Sequence, residues 1–212
     1  ATNPCGEQPL PPYGACLLGS LNLTRFVLSP FEPDARIDDA ALRRTAAIAV
    51  RFLDNVIDIS HYPLAQQRAE ALAKRRIGLG ITGLADALAM CGLVYGTWEA
   101  AEAARHWMAA IEQASYQSSV SLAGERGSFP LFDAGRYGRT GHASRLSEEI
   151  RSAIARHGLR NGLLTSIAPT GTISLVAGNV SSGIEPIFST RYERKVLQPD
   201  GTTRSETVTD YA

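Results

Sequence analysis

Strand-like and helix-like segments alternate along this chain of 212 residues, and this alternation limits the possible folds more than any other feature of the sequence. CLLGSLNLTRFV (residues 16–27), interrupted by Gly19, and GLLTSIAP (162–169) have the apolar composition of buried strands. The segments between them carry apolar residues at helical spacing. Strands separated by helices are typical of α/β proteins, so the sequence predicts an α/β fold.

Capping residues predict where three of the helices begin. Asp38 or Asp39 is expected to cap a helix that ends before Pro63, Thr97 to cap a long Ala-rich helix, and Ser147 to cap a short one. The rest of the pattern is less regular. RRIGLGITGLADALAMCGLVYG (75–96) is predicted to be a Gly-rich entry to an apolar helix that stops at Gly92, TGTIS (170–174) a loop, and YERKVLQPDGTTRSETV (192–208) a hairpin.

Composition and charge exclude several classes of partner. The chain is 44% hydrophobic, which is enough for a real core, and its 21 basic residues balance 21 acidic ones. Non-specific binding to nucleic acid or to an anionic membrane needs a basic excess, so neither partner is expected. There is no apolar run of about 18 residues and no signal peptide, so no membrane segment is predicted.

The cysteines indicate a protein of a reducing compartment, and the histidines give no sign of a metal site. Three cysteines are too few for a disulfide framework, and an odd number cannot all be paired within the chain. This count predicts a cytoplasmic protein. The four histidines are scattered and form no familiar zinc spacing, so no metal ligand is predicted. A dense motif follows directly after Ala1, and we therefore expect the chain to be a fragment of a larger enzyme.

That motif is NPCGEQPL, residues 3–10. On an extended segment Asn3, Cys5 and Glu7 would project to one side, which brings together an amide, a sulfur and a carboxylate. A thiol can form a thiyl radical that takes a hydrogen atom from carbon, and a carboxylate beside it can deprotonate a neighbouring hydroxyl. The residues alone leave a structural alternative open, in which Cys5 is a small buried apolar residue and Asn3 and Glu7 belong to a solvated turn.

NPCGEQPL, followed by YGACLLGSLNL, resembles the active-site finger loop of ribonucleotide reductase catalytic subunits, most closely the adenosylcobalamin-dependent, class II members. RRIGLGITGLADALA and APTGTISLVAGNVSSGIEPIF are similar to later signatures of the same family, in the same order. The resemblance implies that residues 1–212 are the C-terminal part of a ten-stranded α/β barrel with the finger loop inserted in it. The isolated fragment is then expected to be inactive.

The resemblance also implies roles for single residues. Cys5 matches the thiyl-radical cysteine that abstracts the 3′-hydrogen, Glu7 the base that deprotonates the 3′-hydroxyl, and Asn3 the amide that binds the substrate hydroxyls. Cys16 matches one of two cysteines that supply reducing equivalents and end as a disulfide, the other being expected upstream. Cys91 lies in an apolar helix pattern and is interpreted as core packing.

The segment APTGTIS, residues 168–174, follows the second predicted strand. Taken alone it is a simple turn with a hydroxyl cap, because it matches neither of the familiar phosphate-loop patterns. The resemblance implies that it binds the phosphates of the substrate through backbone amides and hydroxyls; its members are Pro169, Thr170, Gly171, Thr172, Ile173 and Ser174. The resemblance places Glu185 in a loop on the active-site side, but no role follows for it, and a structural salt bridge stays open as an alternative. For Arg75 and Arg76 a solvated helix entry is preferred over contact with an anion.

The resemblance finally implies the reaction and its participants. The parent enzyme is expected to reduce ribonucleoside di- or triphosphates to 2′-deoxyribonucleotides with adenosylcobalamin as cofactor. Its expected partners are the upstream half of its own chain, a thioredoxin-like reductant and a second copy in a homodimer. Two alternatives are a class I large subunit, whose radical comes from a separate metal-containing subunit, and a non-catalytic nucleotide-binding barrel fragment.

Overall fold

The computed structural model describes all 212 residues, and its strands and helices confirm the predicted α/β class. The helices are α1 (Asp39–Ile59), α2 (Ala65–Lys74), α3 (Leu84–Met90), α4 (Trp98–Arg126), α5 (Ala134–Tyr137), α6 (Glu148–His157) and α7 (Gly171–Val176). The strands are β1 (Leu17–Asn22), β2 (Val27–Leu28), β3 (Arg36–Ile37), β4 (Arg76–Thr82), β5 (Leu163–Thr165), β6 (Arg191–Leu197) and β7 (Thr203–Thr209). They form a three-stranded sheet and two two-stranded sheets, none of them closed into a barrel. None of the helices combines the length and the apolar character needed to cross a membrane.

The chain folds into two compact units. The first unit contains residues 1–21, 39–80 and 105–168, and the second contains residues 22–38, 81–104 and 169–212. The strands β1 and β4 and the helix α4 contribute residues to both units.

The first unit is built around the three-stranded sheet, in the order β1-β4-β5, with β4 and β5 parallel. Its core is formed by aliphatic side chains that are almost fully buried, from α1 (Leu42, Val50, Leu53, Ile57), β4 (Ile77, Leu79), α4 (Ile111, Leu122) and the β5 region (Leu159, Leu164). Two glycines of β4 allow close approach of its neighbours. A Cβ at Gly80 would lie 2.3 Å from the backbone oxygen of Ser166, and one at Gly78 would lie 2.5 Å from Leu18 Cδ2.

The second unit contains α3, α7, the short β2–β3 pair and the antiparallel hairpin β6–β7. The hairpin confirms the prediction for residues 192–208. Its turn is closed by the bond from Gly201 N to Gln198 O, and Gly201 has a φ of 83°, in the left-handed region that glycine tolerates.

The three helix caps appear largely where they were predicted. The helix α1 begins at Asp39, Thr97 Oγ1 accepts a hydrogen bond from Ala100 N, and Ser147 Oγ accepts one from Ile150 N. Two other predictions were wrong. RRIGLG is mostly strand, because β4 runs to Thr82 before α3 begins, and all of TGTIS except Thr170 lies in α7 and not in a loop. The helix α2 was not predicted.

Candidate active site

The segment 3–10, which we call the reactive loop, is a closed turn and not an extended strand. Asn3 O accepts a hydrogen bond from Gly6 N at 3.1 Å, which places Pro4 and Cys5 at the centre of a β-turn. Gly6 follows with a φ of 84°, a conformation that disfavours side chains. The predicted alternation of residues 3, 5 and 7 on one face is therefore wrong, and the turn presents Cys5 at its tip.

The base of the reactive loop is closed by pairing across it. Thr2 and Pro9 form an antiparallel bridge, and Asn3 N donates to Gln8 O at 3.1 Å. Gln8 N in turn donates to Asn3 Oδ1 at 3.0 Å. The side-chain oxygen of Asn3 (Oδ1) is thus used inside the loop. The side-chain NH₂ group of Asn3 is left to donate to a bound molecule.

Cys5 and Glu7 differ in exposure. The Cys5 thiol is exposed and forms no disulfide. The Glu7 atom Oε2 is buried and has no hydrogen-bond partner, and the same is true of the Gln8 atom Oε1. A buried carboxylate oxygen without a partner is costly, and such atoms in folded proteins usually await a water molecule or a ligand.

Cys16 precedes β1 and is partly buried. Burial raises the pKa of its thiol to about 12, and the Arg76 guanidinium lowers this pKa by a smaller amount while the Glu7 carboxylate raises it. The structure therefore brings Cys16, Glu7 and Arg76 within electrostatic reach of one another. At neutral pH Cys16 is a protonated thiol that can donate its hydrogen.

Arg75 and Arg76 are not a solvated helix entry. Arg75 is buried and binds Asp54 Oδ1 and Asp58 Oδ1, each at 2.8 Å, which holds the pKa of the Asp58 carboxyl below its usual value. Arg76 instead donates from Nη1 to Pro9 O in the reactive loop, at 3.1 Å. Ser166, just after β5, donates from Oγ to Glu7 O at 3.2 Å. Sequence reasoning missed both contacts, since a side chain that binds a backbone carbonyl leaves no motif.

The predicted phosphate-binding segment, 169–174, lies in the second unit and forms the start of α7. Thr170 caps this helix with a φ of 62°, an unusual conformation for a residue with a branched side chain. Its hydroxyl bonds Thr82 Oγ1 and Gly183 N, each at 3.0 Å. These bonds hold Thr170 in the strained conformation.

The hydroxyls of this segment are used unequally. Ser174 is buried and donates from Oγ to Gly171 O, and it also bonds Ser182 Oγ. Thr172 is exposed, and the backbone amides of Gly171 and Thr172 take no part in the hydrogen bonds of the segment. Two amides and one hydroxyl are thus available to an anion, whereas Thr170 and Ser174 shape the turn.

Two further residues can now be placed. Glu185 is exposed and forms no ion pair, so the structural salt bridge that the sequence left open for it is absent. Cys91 lies at the C-terminal end of α3, where it is partly buried and where burial raises the pKa of its thiol, in keeping with a packing role.

Comparison with known protein families identifies the family of this chain. A family model described as "Ribonucleotide reductase, barrel domain" matches residues 1–210. This chain belongs to the ribonucleotide reductase family. The matched range contains both the reactive loop and the segment 169–174.

Several curated reductases are similar to the chain over most of its length. It is 45% identical to the vitamin B12-dependent ribonucleoside-diphosphate reductase of Mycobacterium tuberculosis, over 93% of this chain and 25% of the relative. It is 44% identical to the protein of the same name from Thermoplasma acidophilum, over 93% of this chain and 23% of the relative. The ribonucleoside-diphosphate reductase subunit alpha of Chlamydia muridarum is 34% identical, over 88% of this chain and 19% of the relative. The chain thus spans about a quarter or less of the length of these reductases.

Proposed function

We propose that the protein containing this segment reduces ribonucleotides to 2′-deoxyribonucleotides through a thiyl radical at Cys5. The observation that carries the proposal is the buried, unpartnered Oε2 of Glu7, two residues from the exposed Cys5 thiol in a turn closed by its own backbone. A carboxylate oxygen of this kind is suited to accept a proton from a substrate hydroxyl. Membership of the reductase family supports the proposal.

The proposed reaction assigns one task to each of four side chains. The Cys5 thiyl radical takes the 3′-hydrogen of the ribose, Glu7 accepts the proton of the 3′-hydroxyl, and Asn3 donates hydrogen bonds to the substrate hydroxyls. The 2′-hydroxyl then leaves as water. Cys16 and a second thiol supply two electrons and end as a disulfide. The Cys5 thiol then returns its hydrogen atom to C3′, which regenerates the thiyl radical at Cys5. A dithiol of the thioredoxin class would reduce the disulfide afterwards.

Cys16 is suited to this task because it is protonated. Its thiol, with a pKa raised to about 12 by burial, holds a proton that can be passed to the departing hydroxyl. The Glu7 carboxylate favours this protonated state. For the phosphates, we propose the segment 169–174, with the amides of Gly171 and Thr172 and the Thr172 hydroxyl as donors.

We propose adenosylcobalamin as the source of the radical. Support comes from the higher identity to relatives named vitamin B12-dependent, 45% and 44%, than to the 34% identical subunit alpha. The exposed Cys5 thiol fits a hydrogen-abstracting partner that must reach it from outside the loop, and Cys5 is the residue that would face it. When bound, the cofactor supplies a carbon-centred radical by homolysis of its cobalt–carbon bond.

Four finer assignments stay with this proposal. They are the ten-stranded barrel with residues 1–212 as its C-terminal part, the homodimer, the upstream half of the chain as the source of the second redox cysteine, and the cytoplasm as location. The parallel β4–β5 pair supports the first, and the three unpaired cysteines are in keeping with the last.

The test uses the full-length reductase that contains these residues. Cys5→Ala is expected to abolish deoxynucleotide formation, because no other group can carry the radical. Cys16→Ser should still form the radical, seen by electron paramagnetic resonance, but should not turn over repeatedly with a dithiol. Activity should require added adenosylcobalamin and be lost on illumination. Full activity of Cys5→Ala would refute the proposal, and activity without cobalamin would favour the class I alternative.

A further inference from the structure

The limb of the reactive loop that leads away from Cys5 is held by side chains of the sheet. Ser166 Oγ donates to the carbonyl of Glu7 at 3.2 Å, and Arg76 Nη1 donates to the carbonyl of Pro9 at 3.1 Å. Both donors belong to the sheet framework. Arg76 is the first residue of β4, and Ser166 N binds Leu79 O, which continues the pairing of β4 with β5. The two bonds therefore connect the loop to its most regular support.

Packing at Gly78 brings the same limb against β4. A Cβ at Gly78 would lie 3.0 Å from Ser166 Cβ and 3.4 Å from Nε2 of Gln8, a side chain that is only 2% exposed. Gln8 lies between the two clamped carbonyls, and its backbone pairs with Asn3 on the other limb. Fixing residues 7–9 therefore also fixes Asn3.

Small errors in this limb would be costly for the reaction. The Glu7 carbonyl that Ser166 binds and the Glu7 carboxylate are attached to the same Cα, so a shift of the backbone moves the base. A displacement of about 1 Å at a reacting group can slow a reaction by about two orders of magnitude. Reactive groups in enzymes therefore need a supporting layer of contacts.

We infer that Ser166 and Arg76 are positioning residues that clamp the Glu7–Pro9 limb of the reactive loop to the sheet and so hold Glu7 and Asn3 in place for chemistry at Cys5. This inference rests on the proposed function. Neither residue needs to touch the substrate. The guanidinium of Arg76 lies against the reactive loop, since its Nη1 is 3.1 Å from Pro9 O, and its charge also lowers the pKa of Cys16.

The experiment measures two quantities in the full-length reductase, so that the clamp and the reaction are tested separately. Ser166→Ala and Arg76→Met each remove one bond to the loop. Ser121→Ala and Arg51→Met are matched controls, because neither residue contacts the reactive loop. Ser121 donates to a carbonyl within α4, and Arg51 on α1 binds Glu125 on α4. Hydrogen exchange of residues 3–9 reports on the loop without any turnover, and kcat and KM report on the reaction.

Each clamp variant is expected to speed hydrogen exchange in residues 3–9 while exchange in α1 stays unchanged. We expect kcat to fall about tenfold and KM for the nucleotide to change less than about twofold, because the phosphates are bound elsewhere. Arg76→Lys, which keeps a cationic donor, should recover most of kcat. The controls should match the unaltered enzyme in both measurements.

Two results in the reactive loop and in the reaction, and a third in α1, would overturn the inference. One is unchanged exchange in residues 3–9, and the other is a kcat within about twofold of the unaltered enzyme despite faster exchange. A loss of kcat accompanied by faster exchange throughout α1 would also overturn it, since that pattern indicates general destabilisation. If the unaltered full-length enzyme forms no deoxynucleotide, the proposed function fails, and the exchange data still decide whether the clamp exists.

Discussion

Cys5 and Cys16 lie in one short stretch of chain, yet their surroundings give the two thiols different chemistry. Cys5 is exposed at the tip of the reactive loop, whereas Cys16 is partly buried beside the charges of Glu7 and Arg76. The exposed thiol is accessible to a hydrogen-abstracting radical. The buried one keeps its proton and is suited to act as a hydrogen donor. Because both residues are cysteines, the difference between the two thiols comes from their position: Cys5 lies at the tip of the loop and Cys16 lies next to the first strand.

This difference can be measured by alkylation. We expect iodoacetamide at pH 8 to modify Cys5 well before Cys16, because the thiolate is the reactive form and burial raises the pKa of Cys16 to about 12. Between pH 8 and pH 10 the rate at Cys16 should rise about tenfold per pH unit, since its thiolate fraction rises by that factor below the pKa. Mass spectrometry of the tryptic peptides measures both rates. A rate at Cys16 that levels off below pH 9 would contradict the assignment.

Sequence reasoning proposed Asn3, Cys5, Glu7 and Cys16 as site residues because their types and spacing form a motif. It did not find the turn that presents them, since alternation in the sequence looks the same in a strand and in a loop closed by Pro4 and Gly6. Arg76 and Ser166 could not be found either. Their partners are backbone carbonyls, which every residue has, so only the fold selects them.

At the level of elements, β4 is the part of the chain whose sequence is most closely determined by its neighbours. RIGLGIT resembled a Gly-rich helix entry, but the glycines are needed where β4 contacts Leu18 and Ser166. The tertiary contact, and not the local propensity, decides the conformation here. The start of α7 was misassigned for a related reason, because Thr170 adopts its left-handed φ only through bonds to Thr82 and Gly183.

A pair of alanine substitutions tests this account of β4 in the full-length chain. Gly80→Ala should lower the free energy of unfolding by about 1–3 kcal/mol, because its Cβ would lie 2.3 Å from the Ser166 oxygen. Gly124→Ala is the control. Gly124 lies in α4 with nothing within 4 Å of an added Cβ, so alanine should raise the free energy of unfolding by about 0.5–1 kcal/mol. Urea unfolding followed by circular dichroism measures both. Equal effects of the two substitutions would argue against the close contact at Gly80.

For the molecule as a whole, the most informative feature is the apolar surface that residues 1–212 leave exposed. On α1, Ile48, Phe52 and Ile59 recur on one face of the helix and are 68%, 65% and 81% exposed. Single exposed apolar residues are ordinary, but a row of three large ones on one helix face marks a surface that is normally covered. The α/β class could be predicted from the alternation of segments, whereas this row could not, because helical spacing does not tell which of two apolar faces is buried.

Residues 1–212 expressed alone are therefore expected to bind a hydrophobic dye and to melt over a broad temperature range. Replacing Ile48, Phe52 and Ile59 together by glutamine should reduce dye fluorescence while the helical content of the segment is retained. Fluorescence titration and a thermal scan with analytical ultracentrifugation measure these properties. A monomer that melts sharply and binds no dye would show that the segment is stable without further chain around it.

The closed base of the reactive loop has a consequence for how related sequences are judged. Since Thr2 pairs with Pro9 and Asn3 pairs with Gln8, one residue more or fewer between these positions would rotate the sulfur and the acid out of place together. A conservative exchange at Pro4 would disturb far less. The count of residues inside the turn is thus a stricter criterion than their identity when intact genes of this kind are to be told from decayed copies.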